Sequence, residues 1–190
     1  MKKLLLVLSV ILGGCATQPT NLVLQPIDTS NLQHSQVAPQ AIAISSQDLR
    51  TETYLARVRK EGEPAQLVTA GNNPRMLMQN AIATGFTQLG YQVSGDATTQ
   101  LQLQLDKLQV DVAQETLEHK GSSIAAVTVK LIKPKQELTK RFVAKGSFKG
   151  VMAADAAQME SELNARVQQL LQAVINDQEI HQFINQGVVQ

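Results

Sequence analysis

The 190-residue chain holds a single cysteine, no tryptophan, two tyrosines and four phenylalanines. One thiol cannot close an internal disulfide, so packing alone must hold the fold. A core with so few rings is aliphatic, and the chain lacks the aromatic shelves on which bases or sugars stack. Charge is scarce and balanced: 17 Lys+Arg against 16 Asp+Glu give a formal net charge of +1. No global field draws such a chain to nucleic acid. Nor is there a long apolar run. The longest opens the chain, from Leu4 to Leu12 with only Ser9 interrupting it. As a helix it covers only about 14 Å, well short of the ~30 Å hydrocarbon core of a bilayer.

Motifs for chemistry are missing as well. His34, His119 and His181 are scattered over an N-terminal polar region, a strand-end loop and the last helix, without the spacing of a metal site. His181 reads as polar scaffolding. Ser45-Ser46, Ser122-Ser123 and Ser147 sit in no nucleophile elbow, and Glu115 with Glu118 fits solvated strand ends better than an acid–base pair. Gly146-Ser147-Phe148-Lys149-Gly150 lacks the spacing of a phosphate loop. The sequence therefore predicts no catalytic residue, no metal site and no cofactor.

What is present begins at the N-terminus. Lys2 and Lys3, the apolar run and then small residues follow the order of a secretory signal peptide. Leu12-Gly13-Gly14-Cys15 resembles the bacterial lipobox: an aliphatic residue, two small residues and a cysteine. The resemblance implies that the Cys15 sulfur carries diacylglyceryl, that lipoprotein signal peptidase cuts after Gly14, and that the new amino terminus is acylated in addition. On that reading Cys15 is neither catalytic thiol nor metal ligand. One acyl chain holds a membrane only marginally, whereas two or three make a stable anchor. Ala16 stands where an Asp would resemble an inner-membrane retention signal, so the resemblance implies outer-membrane placement with the domain facing the periplasm. Loss of Lys2 and Lys3 takes the formal charge to about −1, which still offers no field for nucleic acid.

Three regions are expected: a signal peptide over 1–14, a lipidated flexible tether over 15–40, and one α+β domain over 41–190. The tether is rich in Thr, Gln, Asn and Ser and carries Pro19, Pro26 and Pro39, with a short extended piece at Leu22 to Leu24. Ala41 to Ser46 reads as a strand, and Thr53 to Arg59 with Gln66 to Thr69 as a hairpin. Asn73-Pro74 starts a helix that Met78, Ile82, Phe86 and Leu89 line on one stripe and Gly90 stops. In TQLQLQLDKLQVDV the apolar parity slips at Asp106-Lys107, which predicts a β-bulge. Two further long strands, through Val127-Leu131 and Phe142-Phe148, complete a meander with one wet face. Met159, Leu163, Val167, Leu170, Leu171 and Val174 form a second helical stripe, with Asp155 and Glu160 near its start. Asn176 and Glu179 have capping-box spacing for a short last helix carrying Ile180, Phe183 and Ile184. The expected fold is a largely antiparallel sheet with a long meander, two main helices on one face and a short C-terminal helix.

Arg50-Thr51 before Leu55-Ala56-Arg57-Val58, one long helix ending before Gly90-Tyr91, and the ending from Asn176-Asp177 to Ile180-His181-Gln182-Phe183-Ile184 give the chain, with its lipobox leader, the look of the YajG family. It resembles those bacterial lipoproteins over essentially its whole length. The resemblance implies the anchor at Cys15 and, since that family is functionally uncharacterised, no activity.

One surface feature stands out. Parity puts Lys130, Arg141, Lys145 and Lys149 on the face opposite Val129 and Phe142, with Lys133 and Lys135 in the connecting turn. Such a basic hairpin suits an anionic contact with lipid head groups, cell-wall carboxylates or an acidic protein, or it serves only to discourage edge pairing. The leading expectation is a non-enzymatic, outer-membrane-anchored periplasmic protein that binds or supports an envelope component. The alternatives are an accessory factor of an envelope assembly machine working by protein–protein contact, and an enzyme whose site bears no known motif.

Overall fold

The computed structural model describes residues 21–28 and 40–186. In chain order the elements are β1 (Asn21–Leu22), β2 (Ala41–Asp48), β3 (Ala56–Lys60), β4 (Gln66–Ala70), α1 (Pro74–Gln88) and β5 (Gln92–Val93), then β6 (Gln100–Gln114), β7 (Glu118–Lys133), β8 (Gln136–Val151), α2 (Ala156–Ile175) and α3 (Gln178–Asn185). All eight described strands join one sheet.

Strand β6 is its spine. Leu101, Leu103 and Leu105 are buried, and so are Leu108, Val110 and Val112 on the other parity. The register against β7 shifts between Leu105 and Lys107, the expected bulge, and both apolar sets therefore face one core. Strands β6, β7 and β8 form the expected antiparallel meander, with Lys133 paired to Gln136 across the two-residue turn Pro134-Lys135.

The sheet as a whole is mixed, which corrects the expectation of a largely antiparallel one. Four of the seven pairings among the described strands are parallel. Strands β2 and β3 share the same edge of β6 end to end: Ala43–Asp48 lie beside Gln100–Leu105, and Ala56–Lys60 beside Val110–Gln114. Alternation fixes which face of a strand is buried but not which neighbour it takes. Here the path from β2 and β3 to β6 runs through α1, the long crossover that parallel pairing needs.

Both main helices lie on the buried face. Asn73 caps α1 by accepting from the Met76 amide at 3.1 Å, and Gly90 follows the helix at φ 97°, a left-handed stop that suits glycine. Met78, Ile82 and Phe86 point into the core. Asp155 caps α2 through the Gln158 amide at 2.7 Å, and the predicted stripe from Met159 to Val174 is buried. Gly85 of α1 receives Ile175 of α2 so closely that a Cβ there would lie 2.6 Å from the Ile175 Cδ1.

The cap of α3 falls one residue later than the capping-box spacing suggests. Asp177, not Asn176, accepts from the Ile180 amide at 3.0 Å, while the Asn176 side chain donates back to the Gln172 carbonyl at the end of α2. Asp177 also pairs with Lys140 of β8 at 2.7 Å, a contact from a distant strand that local spacing cannot reveal.

The region expected as a tether over 15–40 begins to fold early. Strand β1 pairs with β4 in parallel, Asn21 opposite Thr69 and Leu22 opposite Ala70. The segment then runs along α2: the amides of Val23, Gln25 and Asp28 donate to Glu160, Asn164 and Gln168 at 2.7, 2.9 and 3.0 Å. Leu22 and Leu24 are core residues, so the short extended piece is part of the domain.

Candidate functional site

Leu12, Gly13, Gly14 and Cys15 lie outside the described residues, as does His34. The basic hairpin can be placed, and it divides. Lys130, Arg141, Lys145 and Lys149 do share the face turned away from both helices, opposite Thr139, Thr128, Ile124 and Lys120 respectively in the register of β7 and β8. Lys130 and Lys145 join no ion pair among the described residues. Arg141 is partly engaged, its Nε 3.2 Å from Asp106, which also accepts from Thr128. Lys149 lies near enough to Glu118 to help hold that carboxyl below its ordinary value, after the stronger effect of Lys120. Lys135 is exposed at the turn.

Lys133 departs from the expectation altogether. It is buried, and its Nζ donates to the carbonyls of Phe183, Ile184 and Gln186 at 2.6, 2.9 and 2.7 Å. These are the carbonyls that a helix leaves without partners at its C-terminus, and a cation there also answers the helix dipole. The ammonium sits 5.3 Å from the Phe183 ring centroid, and burial pushes its pKa down. Lys133 is therefore the clamp that closes α3 onto the meander, not part of a binding surface. The signal was in the sequence: Lys133 continues the inward parity of Val127, Val129 and Leu131.

The histidines are structural in two different ways. His181 stacks on Tyr91 and bridges α3 to the end of α1: its Nε2 lies 2.7 Å from the Ile175 carbonyl and its Nδ1 2.8 Å from the Tyr91 hydroxyl. A carbonyl can only accept, so Nε2 carries a hydrogen toward Ile175 while Nδ1 faces the Tyr91 hydroxyl. His119 is inside strand β7 rather than in a loop, and it is buried. Its Nδ1 donates to the Met152 carbonyl at 2.9 Å, and its Nε2 has no partner. Gly150 makes room for that ring, since a Cβ there would lie 2.5 Å from the His119 Cε1. Among the described residues no three His, Cys, Asp or Glu side chains gather as a metal site would require.

Motif reading missed a second place, the end of the sheet opposite the Pro134-Lys135 turn. An open cleft lies there between the β3–β4 turn, the β6–β7 turn and the β8–α2 loop, and its walls include Val58, Val68, Gln66, Leu117, Met152 and Met159. At its rim Leu117, Val151 and Met152 are 78, 82 and 71% exposed, the most exposed large apolar side chains among the described residues. Met152 is also the one described residue other than glycine with positive φ, at 60°. Its backbone is held from three sides: its amide donates to the Leu117 carbonyl at 2.9 Å, and its carbonyl accepts from His119 and from Gln114 Nε2 at 3.0 Å. Gln114 further accepts from the Ala154 amide at 3.1 Å. Around the rim the carboxylates are mostly matched, Glu63 with Lys60 and Glu115 and Glu118 with Lys120.

The domain matches a family model described as an uncharacterised lipoprotein, over residues 28–185. The chain belongs to the Lipoprotein_16 family. Membership makes it a lipid-anchored membrane protein. The uncharacterised lipoprotein YajG of Escherichia coli, in strain K12 and in strain CFT073, is 27% identical over 189 residues, 98% of each chain. The resemblance to that group is thereby confirmed. Among solved structures, a Xanthomonas campestris protein of family DUF330 is similar with a TM-score of 0.49 and 14% identity, over 84% of this chain and 98% of its own.

Proposed function

We propose that the chain is lipidated at Cys15, resides at the outer membrane facing the periplasm, and works by contact with an envelope component rather than by catalysis. The address is supported by the lipobox and by Ala16. The observation that carries the mode of action is the uncovered outer face of β7 and β8. Both long helices pack on the other face, leaving Lys130, Lys145 and Lys149 in water with Arg141 between them.

Their spacing narrows the partner class. Arg141, Lys145 and Lys149 recur every fourth residue of β8, about 13 Å apart, beyond the ~8 Å screening length at physiological salt. Charges so separated act singly, which suits an extended polyanion such as a carboxylate-bearing glycan and not one compact phosphate. The experiment is co-sedimentation of the full lipidated protein with isolated cell wall at several salt concentrations, comparing wild type with Lys130→Glu/Lys145→Glu/Lys149→Glu. Arg141 is left intact because reversing it would set a carboxylate beside Asp106. Binding that falls with salt and in the triple variant supports the reading; equal binding by the variant at every salt concentration removes it.

A second reading has its own observation. Strand β8 pairs only with β7 among the described strands, and although Arg166 of α2 donates to its Lys145 carbonyl at 2.8 Å, the edge has no strand partner and could take another protein's strand. That is the accessory-factor alternative, and crosslinking from β8 to one dominant protein in intact envelopes would favour it over a glycan.

A further inference from the structure

The way the chain enters the domain tells which end of the sheet lies nearest the start of β1. Two independent rulers agree. Strand β1 is parallel to β4, with Asn21 only three residues above Gln66, the first residue of β4 and a wall of the cleft. Along α2, Val23 meets Glu160, Gln25 meets Asn164 and Asp28 meets Gln168, so the segment advances with the helix, and its beginning lies toward the helix start at Ala156, another wall of the cleft. The chain thus comes into β1 from the cleft end of the sheet. From Cys15 to Asn21 there are six residue steps, and a chain extends at most about 3.6 Å per step, so the anchor can stand no more than about 22 Å from the start of β1.

That same end carries the exposed side chains of Leu117, Val151 and Met152. Exposed apolar groups are common singly, but here three lie on two adjoining segments, the β6–β7 turn and the end of β8, joined by the bond from the Met152 amide to the Leu117 carbonyl and fastened by Gln114 and His119, with Met152 kept in a costly left-handed conformation. A fastened loop that points apolar groups at water needs an apolar partner, and the short tether brings one within reach.

We infer that the tip formed by Leu117, Val151 and Met152 docks into the surface of the bilayer that holds the lipid anchor, so that the meander stands up from the membrane with the Pro134-Lys135 turn farthest away. The inference rests on the lipid attachment at Cys15 proposed above. Glu61, Glu63, Glu115, Glu118 and Asp155 surround the cleft against Lys60, Lys120 and Lys149, an excess of carboxylates, so the preferred surface is zwitterionic and not anionic. The carboxylates are placed where they remain hydrated while the three apolar side chains enter the head-group region, as interfacial anchors do.

The test uses the full lipidated protein in phosphatidylcholine vesicles, where the thioether at Cys15 leaves introduced cysteines as the only reactive thiols. An environment-sensitive fluorophore is placed at Leu117→Cys, at Met152→Cys and, as control, at Lys135→Cys. Labels at 117 and 152 should become several-fold less accessible to aqueous iodide than the label at 135, and bromine-substituted acyl chains should quench them. Equal iodide access at all three positions would overturn the docking while leaving the anchor intact. Shielding from iodide without quenching by the brominated lipid would overturn it too, in favour of contact between two copies of the chain. If the protein does not float with vesicles at all, the anchor fails and the docking fails with it. Replacing part of the phosphatidylcholine by phosphatidylglycerol should reduce the shielding; an increase would refute the zwitterionic preference.

Discussion

The two ends of the meander are built in opposite ways. At the Pro134-Lys135 turn a cation is drawn inward, Lys133 giving three hydrogen bonds to the last carbonyls of α3. At the other end apolar groups are pushed outward, Leu117, Val151 and Met152 standing in water on a braced backbone. In the first case polarity serves the fold. In the second, the fold holds polarity back from a place where the rest of the surface would have it. Stability should therefore be sensitive at one end and nearly indifferent at the other.

The largest effects are expected where α3 closes on the sheet, beginning with Lys133→Ala. It removes three charge-assisted bonds and strands buried carbonyls, which should cost about 3 kcal/mol and lower the melting midpoint by roughly 6 to 12 °C in a domain of this size. An unchanged midpoint by calorimetry would mean that α3 closes without its clamp. Ile180→Ala, at a fully buried position of the same helix, should cost about 2 to 4 kcal/mol by the same measurement. Phe183, which sequence periodicity places beside Ile180 and Ile184, is only half-buried, so Phe183→Asp should be milder than a core substitution.

Gly150→Ala comes next. A Cβ 2.5 Å from the His119 ring must displace it, at a cost of about 1 to 3 kcal/mol, and with His119 the brace on Met152 loosens. Faster amide exchange at Met152 together with a lower midpoint is the expected pair of outcomes; the second without the first would show that Gln114 holds the loop alone.

A pH series isolates the Lys140 contact. Burial alone would raise the Asp177 pKa, but the Lys140 ammonium and the Ile180 amide outweigh it and hold the carboxyl below its ordinary value. Stability from this group is thus fully present above the unfolded value of about 3.9 and is lost as pH falls through the lower folded value. Asp177→Asn keeps an N-cap and removes the ion pair, so it should cost up to about 1 kcal/mol at neutral pH, with the gap to wild type closing in acid. A gap that stays constant from neutral pH to pH 2 would contradict the assignment. Leu117→Ser should be the smallest effect, within about 0.5 kcal/mol of wild type, since a side chain already in water has little packing to lose.

Local structure was legible in the sequence wherever one strand or helix decides it. The parity slip between Leu105 and Leu108 announced the bulge, and Asn73-Pro74 announced the start of α1. What depended on partners was not legible. Nothing in AIAISSQD says that β2 lies parallel to β6, and nothing in Asn176-Asp177 says that a lysine of β8 selects the second residue as the cap. Lys133 falls between these cases: its inward parity was visible, but a lysine beside a proline turn reads as solvated until the helix it caps is in place. The tip escaped notice because Leu117, Val151 and Met152 are separated along the chain and only the pairing of β7 with β8 unites them.

The bulge also bears on how the gene can change length. On its two sides β6 serves different neighbours, β2 before it and β3 after it, while β7 spans both. Deleting either Asp106 or Lys107 would remove the extra residue, leaving one residue between Leu105 and Leu108, so that Leu108, Val110 and Val112 keep facing the core in plain alternation without a bulge. Deleting both would make Leu105 and Leu108 neighbours and turn Leu108, Val110 and Val112 outward together, bringing Gln109 and Asp111 onto the core. Length variation at this point should therefore come as the loss of one residue and not of two.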